Sequence, residues 1–295
     1  MPPPTIVALF GPTGVGKTAV AIALAERLRA GGEDPVAVSA DALQVYRGLE
    51  TLTGAATQDE QAQLEHRLLS ILPVDATFSA GAYARLAHRE IDDLLQAGRR
   101  PIVVGGTGLY LRAALAELDL RPPVPQQIRD RRQADLEQRG AQALHDELTT
   151  RVPGTTIRAT DPQRIVRALE LLDAGHEPPA GEQLWTQETR HPTLLVGLTM
   201  EREALKARIG ERVDEMVRAG AIDEVRRATD ASPSARKALG FRELDNGDVE
   251  GMKTATRRYA RRQLTWMRKL PNVTLVDVTD RPADDVAKEV HDSLP

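Results

Sequence analysis

At 295 residues and 41% hydrophobic content, the chain can bury one large core, or a core with an insertion, and its formal net charge of −4 argues against indiscriminate nucleic-acid binding. The absence of cysteine excludes disulfides, thiolate zinc sites, iron–sulfur clusters and a thiol nucleophile, so any metal must be held by oxygen or histidine ligands. The leading "MPPPTIVALFG" has no charged n-region and an apolar run far short of the ~20 residues that span a bilayer, so a cytoplasmic protein with no membrane association is the expectation.

The first predicted element is a strand over "TIVALF", a short β-branched run ending in glycine. It is followed by "KTAVAIALAERLRA", in which Val20, Leu24 and Leu28 recur every four residues and predict an amphipathic helix. Between them lies "GPTGVGKT", a G-x-x-x-x-G-K-T loop of Gly11, Pro12, Thr13, Gly14, Val15, Gly16, Lys17 and Thr18. Strand, glycine loop and helix are the context in which such a loop holds phosphate. Glycines let backbone amides converge on phosphate oxygens, the helix N-terminus adds partial positive charge, Lys17 neutralises a terminal phosphate, and Thr18 can ligate Mg²⁺.

"PVAVSAD" at 35–41 repeats the pattern of an apolar run closing on a polar residue. Asp41 is then either a functional acid at a strand end or the N-cap of a following helix, and spacing leaves both open. In "RPIVVGGTGLY" at 100–110 the apolar run is followed by glycines, so the acid that a hydrolytic ATPase places there is missing. Thr107 can hydrogen-bond a substrate, or the Gly-Gly pair can simply turn the chain with Tyr110 and Leu111 as core.

From 113 to 192 the strand pattern gives way to polar helices, "QQIRDRRQADLEQRGAQALHDELTTR" and "DPQRIVRALELLDAG", joined by "RPPVP" and "HEPPAGEQ". This predicts a helical insertion at 113–192 in a core made of 1–112 and 193–295. Further strands are expected in "TLLVGLTM" at 193–200 and "NVTLVDV" at 272–278. The fold class is α/β, a phosphate-loop parallel sheet with helices on both faces and ligands at the carboxyl ends of the strands.

"EREALKARIGERVDEMVRAG" carries a buried stripe of Leu205, Ile209, Val213 and Met216, with Arg208 and Arg212 beside it. These two arginines can clamp a diphosphate, or pair with Glu211 and Glu215 at the surface. Residues 252–269 hold Lys253, Arg257, Arg258, Arg261, Arg262, Arg268 and Lys269 without one acid, and Tyr259, Gln263 and Trp266 share one row of the predicted helix. A solvated face anchored by Trp266 is the plain interpretation; a nucleic-acid backbone is the one that the charge favours. The acidic tail from Asp277 is expected to form a solvated closing helix.

Taken in order, "GPTGVGKT", "SADALQVYRG", "GGTGLYLRA", "DPQRIVRALE", "ALKARIGERVDEMV", "KALGFREL" and "TRRYARRQLTWMRK" resemble the bacterial tRNA dimethylallyltransferases over nearly the whole chain. The resemblance implies transfer of a dimethylallyl group from dimethylallyl diphosphate to N6 of the adenine 3′ of the anticodon, with the loop holding a diphosphate leaving group. It implies Asp41 as general base, Thr107 and Arg208 as further catalytic residues, Arg212 with the loop on the diphosphate, and Mg²⁺ on Thr18. The partners implied are dimethylallyl diphosphate and a tRNA anticodon stem-loop, bound by a monomer. The tRNA grip is carried over to Asp41, Ala42, Leu43, Gln44 and Thr107; to Gln163, Arg164 and Arg167 in the insertion; to Arg236 and Arg242; and to Arg257, Arg258, Arg261, Arg262, Gln263 and Trp266. Ala42 and Leu43 stand where the family reads serine and arginine, removing a hydroxyl and a cation. "EHRLLSIL" and "TLTGAAT" match their family counterparts loosely, and the insertion is short. Three other readings stay open: an isopentenyltransferase acting on free AMP or ADP, a nucleotide or small-metabolite kinase, and a noncatalytic RNA-binding module.

Overall fold

A computed structural model describes residues 4–178, 184 and 186–295. The chain forms two compact units, Met1–Glu117 with Leu184–Pro295, and Leu118–Gln183. No described helix is long and apolar enough to cross a membrane.

The larger unit begins with β1 (Ile6–Phe10), α1 (Lys17–Ala30), β2 (Pro35–Ser39), α2 (Glu50–Thr53), α3 (Gln58–Gln63) and β3 (His66–Arg67). It continues through α4 (Ala80–Gln96), β4 (Arg100–Gly105) and α5 (Gly108–Leu115). Residues 113–117, placed with the insertion by the loss of strand pattern, complete α5 and the turn after it, and stay with this unit.

The smaller unit holds α6 (Gln126–Arg151) and α7 (Pro162–Asp173) around Leu144, Leu148, Ile165 and Leu169. The helix expected over 126–151 is interrupted at Gly140, whose φ of 77° and ψ of 164° are not helical. Asp161 caps α7 by accepting the Arg164 N–H, with Pro162 in the first turn. The linker "HEPPAGEQ" falls largely outside the described residues.

The larger unit resumes with β5 (Thr193–Thr199), α8 (Arg202–Arg218), α9 (Ala221–Arg227), α10 (Phe241–Asp245), α11 (Val249–Met267), β6 (Thr274–Asp277) and α12 (Ala283–Asp292). Six strands among the described residues form one parallel sheet in the order β3-β2-β4-β1-β5-β6. This is the phosphate-loop α/β fold expected. β3 is a two-residue edge strand too short to leave a periodic signal.

Val7 and Leu9 on one face of β1 share a core with Val20, Leu24 and Leu28 of α1 and Val286 and Val290 of α12. The closing helix is therefore solvated on its acidic side only; its apolar stripe is buried against the core. A second core joins Val45, Leu49 and Leu52 to Val213, Val225, Phe241 and Met252. It fixes α8–α11 beside the loop that follows β2.

Register places the site. β1 pairs with β4 up to Phe10 opposite Gly105, β2 pairs with β4 up to Ser39 opposite Val104, and β1 pairs with β5 up to Phe10 opposite Gly197. The segments that leave the sheet after these residues emerge side by side at its carboxyl edge, where ligands of such sheets bind.

Candidate active site

The glycine loop turns between β1 and α1. Gly16, the N-cap of α1, has a left-handed φ of 98°, which a side chain would strain, and no side chain caps the helix. The uncapped first-turn N–H groups and the helix dipole are a ready anion site. Lys17 Nζ donates to the loop's own carbonyls, Gly11 O at 2.9 Å and Pro12 O at 3.0 Å. Burial and, secondarily, the Arg212 charge bring the Lys17 pKa down to about 8, while Asp41 opposes them.

Arg208 and Arg212 approach the loop from α8. A Cβ at Gly16 would lie 3.6 Å from Arg208 Nη2, so that guanidinium borders the loop. Arg212 donates from Nη2 to Gly54 O at 3.2 Å, and burial foremost lowers its pKa. The surface pairing open to these arginines in the sequence does not occur: among the described residues neither has a carboxylate at ion-pair distance. Lys17 and Arg212 are half-buried and Arg208 is exposed, and three cations this close together suit a multiply charged anionic ligand.

Asp41 lies half-buried just past β2. Its Oδ1 accepts the N–H groups of Leu43 at 2.9 Å and Gln44 at 3.4 Å. The helix N-cap alternative does not hold, since this is a local turn and α2 starts only at Glu50. Its Oδ2 has no hydrogen-bond partner among the described residues. Lys17, Tyr83, Tyr110 and Tyr259 all feel its charge. Tyr83 is fully buried and donates to Ser39 O at 3.0 Å, and its ring lies 4.8 Å from that of Tyr110. Burial first, then neighbouring charge, pushes Tyr110 and Tyr259 up to about 12, so both hydroxyls stay neutral.

Gln44 ties this loop to the arginines. Its Oε1 accepts Ser39 Oγ at 3.0 Å, and its Nε2 donates at 3.2 Å to Gly54 O, the carbonyl that also receives Arg212. Thr51 and Leu52 N–H groups are held by Glu224 at 2.9 and 2.8 Å. Nothing in the local sequence around Glu224 signals this, because the contact spans 173 residues. Ala42 and Leu43 are half-buried in the turn.

Thr107 stands at the start of α5 but caps nothing; its hydroxyl shares a 2.8 Å hydrogen bond with Tyr259. Tyr110 and Leu111 are buried, as their core reading requires.

Helix α11 has two working faces. Arg258, Arg261 and Arg262 are exposed, and Arg262 lies over the Tyr259 ring at 5.6 Å. Arg257 is half-buried beside Gly210 of α8. The inward row differs from what the resemblance implies: Gln263 is buried between Thr13 and Gly106, and the Trp266 ring lies against Gly108. Arg236 and Arg242 are exposed, Arg236 donating to Ala231 O and Thr229 O, Arg242 to Glu243. In the smaller unit Gln163 and Arg164 are exposed, while Arg167 bonds Glu170 and the carbonyls of Arg121 and Pro122.

Among the described residues there is no group of three or more histidines and carboxylates that could hold a metal. Thr18 stands in the first turn of α1, next to Lys17.

The IPP transferase family model matches residues 44–270. The chain is 39% identical over 290 residues to a tRNA dimethylallyltransferase of Kocuria rhizophila, covering 93% of this chain and 90% of that protein. It is 40% identical to one of Geobacillus thermodenitrificans, covering 93% and 91%. Among solved structures it is similar to a full-length tRNA isopentenylpyrophosphate transferase from Bacillus halodurans, with a TM-score of 0.70, 33% identity, and 98% and 94% of the two chains covered. It is also similar to a eukaryotic dimethylallyltransferase described as acting on tRNA, with a TM-score of 0.73, 25% identity, and 94% and 74% covered.

Proposed function

This chain belongs to the IPP transferase family and is a transferase, and from that premise we propose that it moves a dimethylallyl group from dimethylallyl diphosphate to N6 of the adenine 3′ of a tRNA anticodon. One observation carries the assignment of roles: Asp41, whose Oδ2 has no hydrogen-bond partner among the described residues, stands within the field of Lys17, at the edge of a glycine loop that Arg208 borders.

The exocyclic adenine amine is a weak nucleophile because its lone pair is delocalised into the ring. As it attacks the allylic carbon, the N–C bond forms, the C–O bond to diphosphate breaks, and Asp41 takes the amine proton. Positive character develops on the allylic carbon and negative charge on the departing oxygen. The loop amides, Lys17, Arg208 and Arg212 supply the positive charge that offsets that negative charge. Mg²⁺, held by the Thr18 hydroxyl, would further neutralise the leaving diphosphate. Thr107 offers a neutral hydroxyl to the amine.

A base inside a stacked anticodon loop must leave the stack to reach such a site. The exposed arginines of α11 supply the backbone grip that this requires, which a transferase acting on free AMP or ADP does not need.

The test incubates the protein with dimethylallyl diphosphate, Mg²⁺ and an unmodified anticodon stem-loop bearing that adenine, followed by nucleoside mass spectrometry. N6-dimethylallyl-adenosine formed by the wild type and not by Asp41→Ala supports the reading. RNA that binds and stays unmodified overturns it, and ATP turnover is then measured instead.

A further inference from the structure

Gln263 is 4% exposed on the inward row of α11, and its amide joins two loops that are far apart in the chain. Its Oε1 accepts the Thr13 N–H at 2.8 Å, and its Nε2 donates to Gly106 O at 2.7 Å. Thr13 belongs to the phosphate loop, and Gly106 immediately precedes Thr107. The β1–β4 pairing runs only to Phe10 and Gly105, so Gln263 supplies the link just beyond the end of the sheet. The fit is close: a Cβ at Gly106 would fall 2.2 Å from Gln263 Nε2 and 3.0 Å from Gly11 O. One turn away on the same row, Tyr259 holds Thr107.

We propose that Gln263 is a positioning residue, which sets the spacing between the diphosphate cradle and Thr107 by tying Thr13 to Gly106. The inference rests on the transfer reading above. In a displacement, the attacking nitrogen, the allylic carbon and the leaving oxygen must be held in line, and small misplacements are expensive. An amide with both ends occupied and almost no exposed surface does not suit the RNA contact that the family resemblance implies for it. Loss of the bridge leaves a half-buried N–H and a buried C=O unpaired, which loosens both loops together.

The test compares the wild type with Gln263→Leu, similar in volume but unable to form either hydrogen bond, and Gln263→Glu, which keeps an acceptor for Thr13 and loses the donor to Gly106. Melting temperature, Kd for inorganic pyrophosphate, Kd for the unmodified stem-loop, and kcat for transfer are measured on each. For Gln263→Leu, pyrophosphate binding is expected to weaken about tenfold and kcat to fall about 100-fold, with the RNA Kd unchanged; Gln263→Glu falls between. If Gln263→Leu does not fold, Gln263→Glu carries the same comparison. Absence of product from the wild type defeats the transfer reading alone, and the pyrophosphate affinities still decide whether Gln263 shapes the loop. Weaker RNA binding with pyrophosphate affinity and kcat intact overturns the proposal, and so does a lowered melting temperature with wild-type kinetics.

Discussion

Tyr259 and Thr107, 152 residues apart, join their hydroxyls in a 2.8 Å hydrogen bond. Burial keeps Tyr259 neutral with a pKa of about 12. A tyrosine that donates to Thr107 leaves the threonine proton free to point at a substrate. Tyr259→Phe keeps the ring under Arg262 and removes this bond. The expected result is a fall in kcat of about tenfold, with RNA affinity unchanged. Thr107→Ala combined with Tyr259→Phe is expected to be no worse than Thr107→Ala alone. Additive losses in that double-mutant cycle would mean that the two hydroxyls act separately.

Asp41→Asn separates proton acceptance from structure, because the amide oxygen can still accept the Leu43 and Gln44 N–H groups. Transfer is expected to fall by about 10²–10⁴-fold, the usual worth of a positioned base. Pyrophosphate affinity near pH 7 should stay close to wild type. Parallel loss of transfer and pyrophosphate binding would contradict the base assignment.

Lys17 gives pyrophosphate binding a pH dependence of known sign. The free protein loses the Lys17 proton above about 8, whereas the anion binds best to the charged ammonium. Above that value binding must therefore take up a proton, and affinity should drop by up to tenfold per pH unit until the pKa of the bound state is reached. Stability has the opposite slope. The unfolded chain holds this proton up to about 10.4, so it binds more protons than the folded chain between the two values, and unfolding free energy rises with pH in that window. Calorimetry from pH 7 to 10 measures the binding limb. Lys17→Arg, charged throughout, is expected to flatten it, and a flat wild-type profile would place the Lys17 pKa elsewhere.

How legible all this is in the sequence depends on range. β1, the loop and α1 lie within 25 consecutive residues and announce themselves by period and glycine spacing, and the structure has them there. Asp41 and Thr107 are visible as polar residues ending apolar runs, yet their alternatives could not be decided without knowing that parallel register puts Ser39 and Gly105 at the same edge. The inward row of α11 is readable as a row, but not what it faces: Gln263 looks like part of a basic surface until the packing of α11 buries it. Glu224 holding the Thr51 and Leu52 amides has no local signal at all, because tertiary packing alone brings the two together.

Arg261→Ala with Arg262→Ala removes two exposed cations of α11 from a surface with no acid in the neighbouring turns. If they face RNA phosphates, log Kd for the stem-loop plotted against log salt loses about 0.7–0.9 of slope per arginine that made a contact. Pyrophosphate binding should not change. An unaltered salt slope would take this row out of the interface.

In the smaller unit, Asp173 accepts hydrogen bonds from Arg131 at 2.5 Å, Arg132 at 2.6 and 2.9 Å, and Arg151 at 2.7 Å. Burial alone would raise its pKa, but the bonds from Arg132, Arg151 and Arg131 overcome this and hold the carboxyl well below the usual range. Its side chain is 9% exposed, so solvent screens little of the interaction. With the folded pKa depressed, the stability that Asp173 supplies is complete above the unfolded value of about 4 and is lost as pH falls through the folded one. Asp173→Asn removes the charge while three arginines remain, an imbalance expected to cost about 3 kcal/mol. Amide hydrogen exchange over 126–173 in the full chain is the appropriate probe, because it reports this unit separately from the sheet. At pH 7 the amides of this segment should be less protected in the variant than in the wild type. Equal protection of the two proteins at pH 7 would mean that the α6–α7 pair is held by Leu144, Leu148, Ile165 and Leu169 alone.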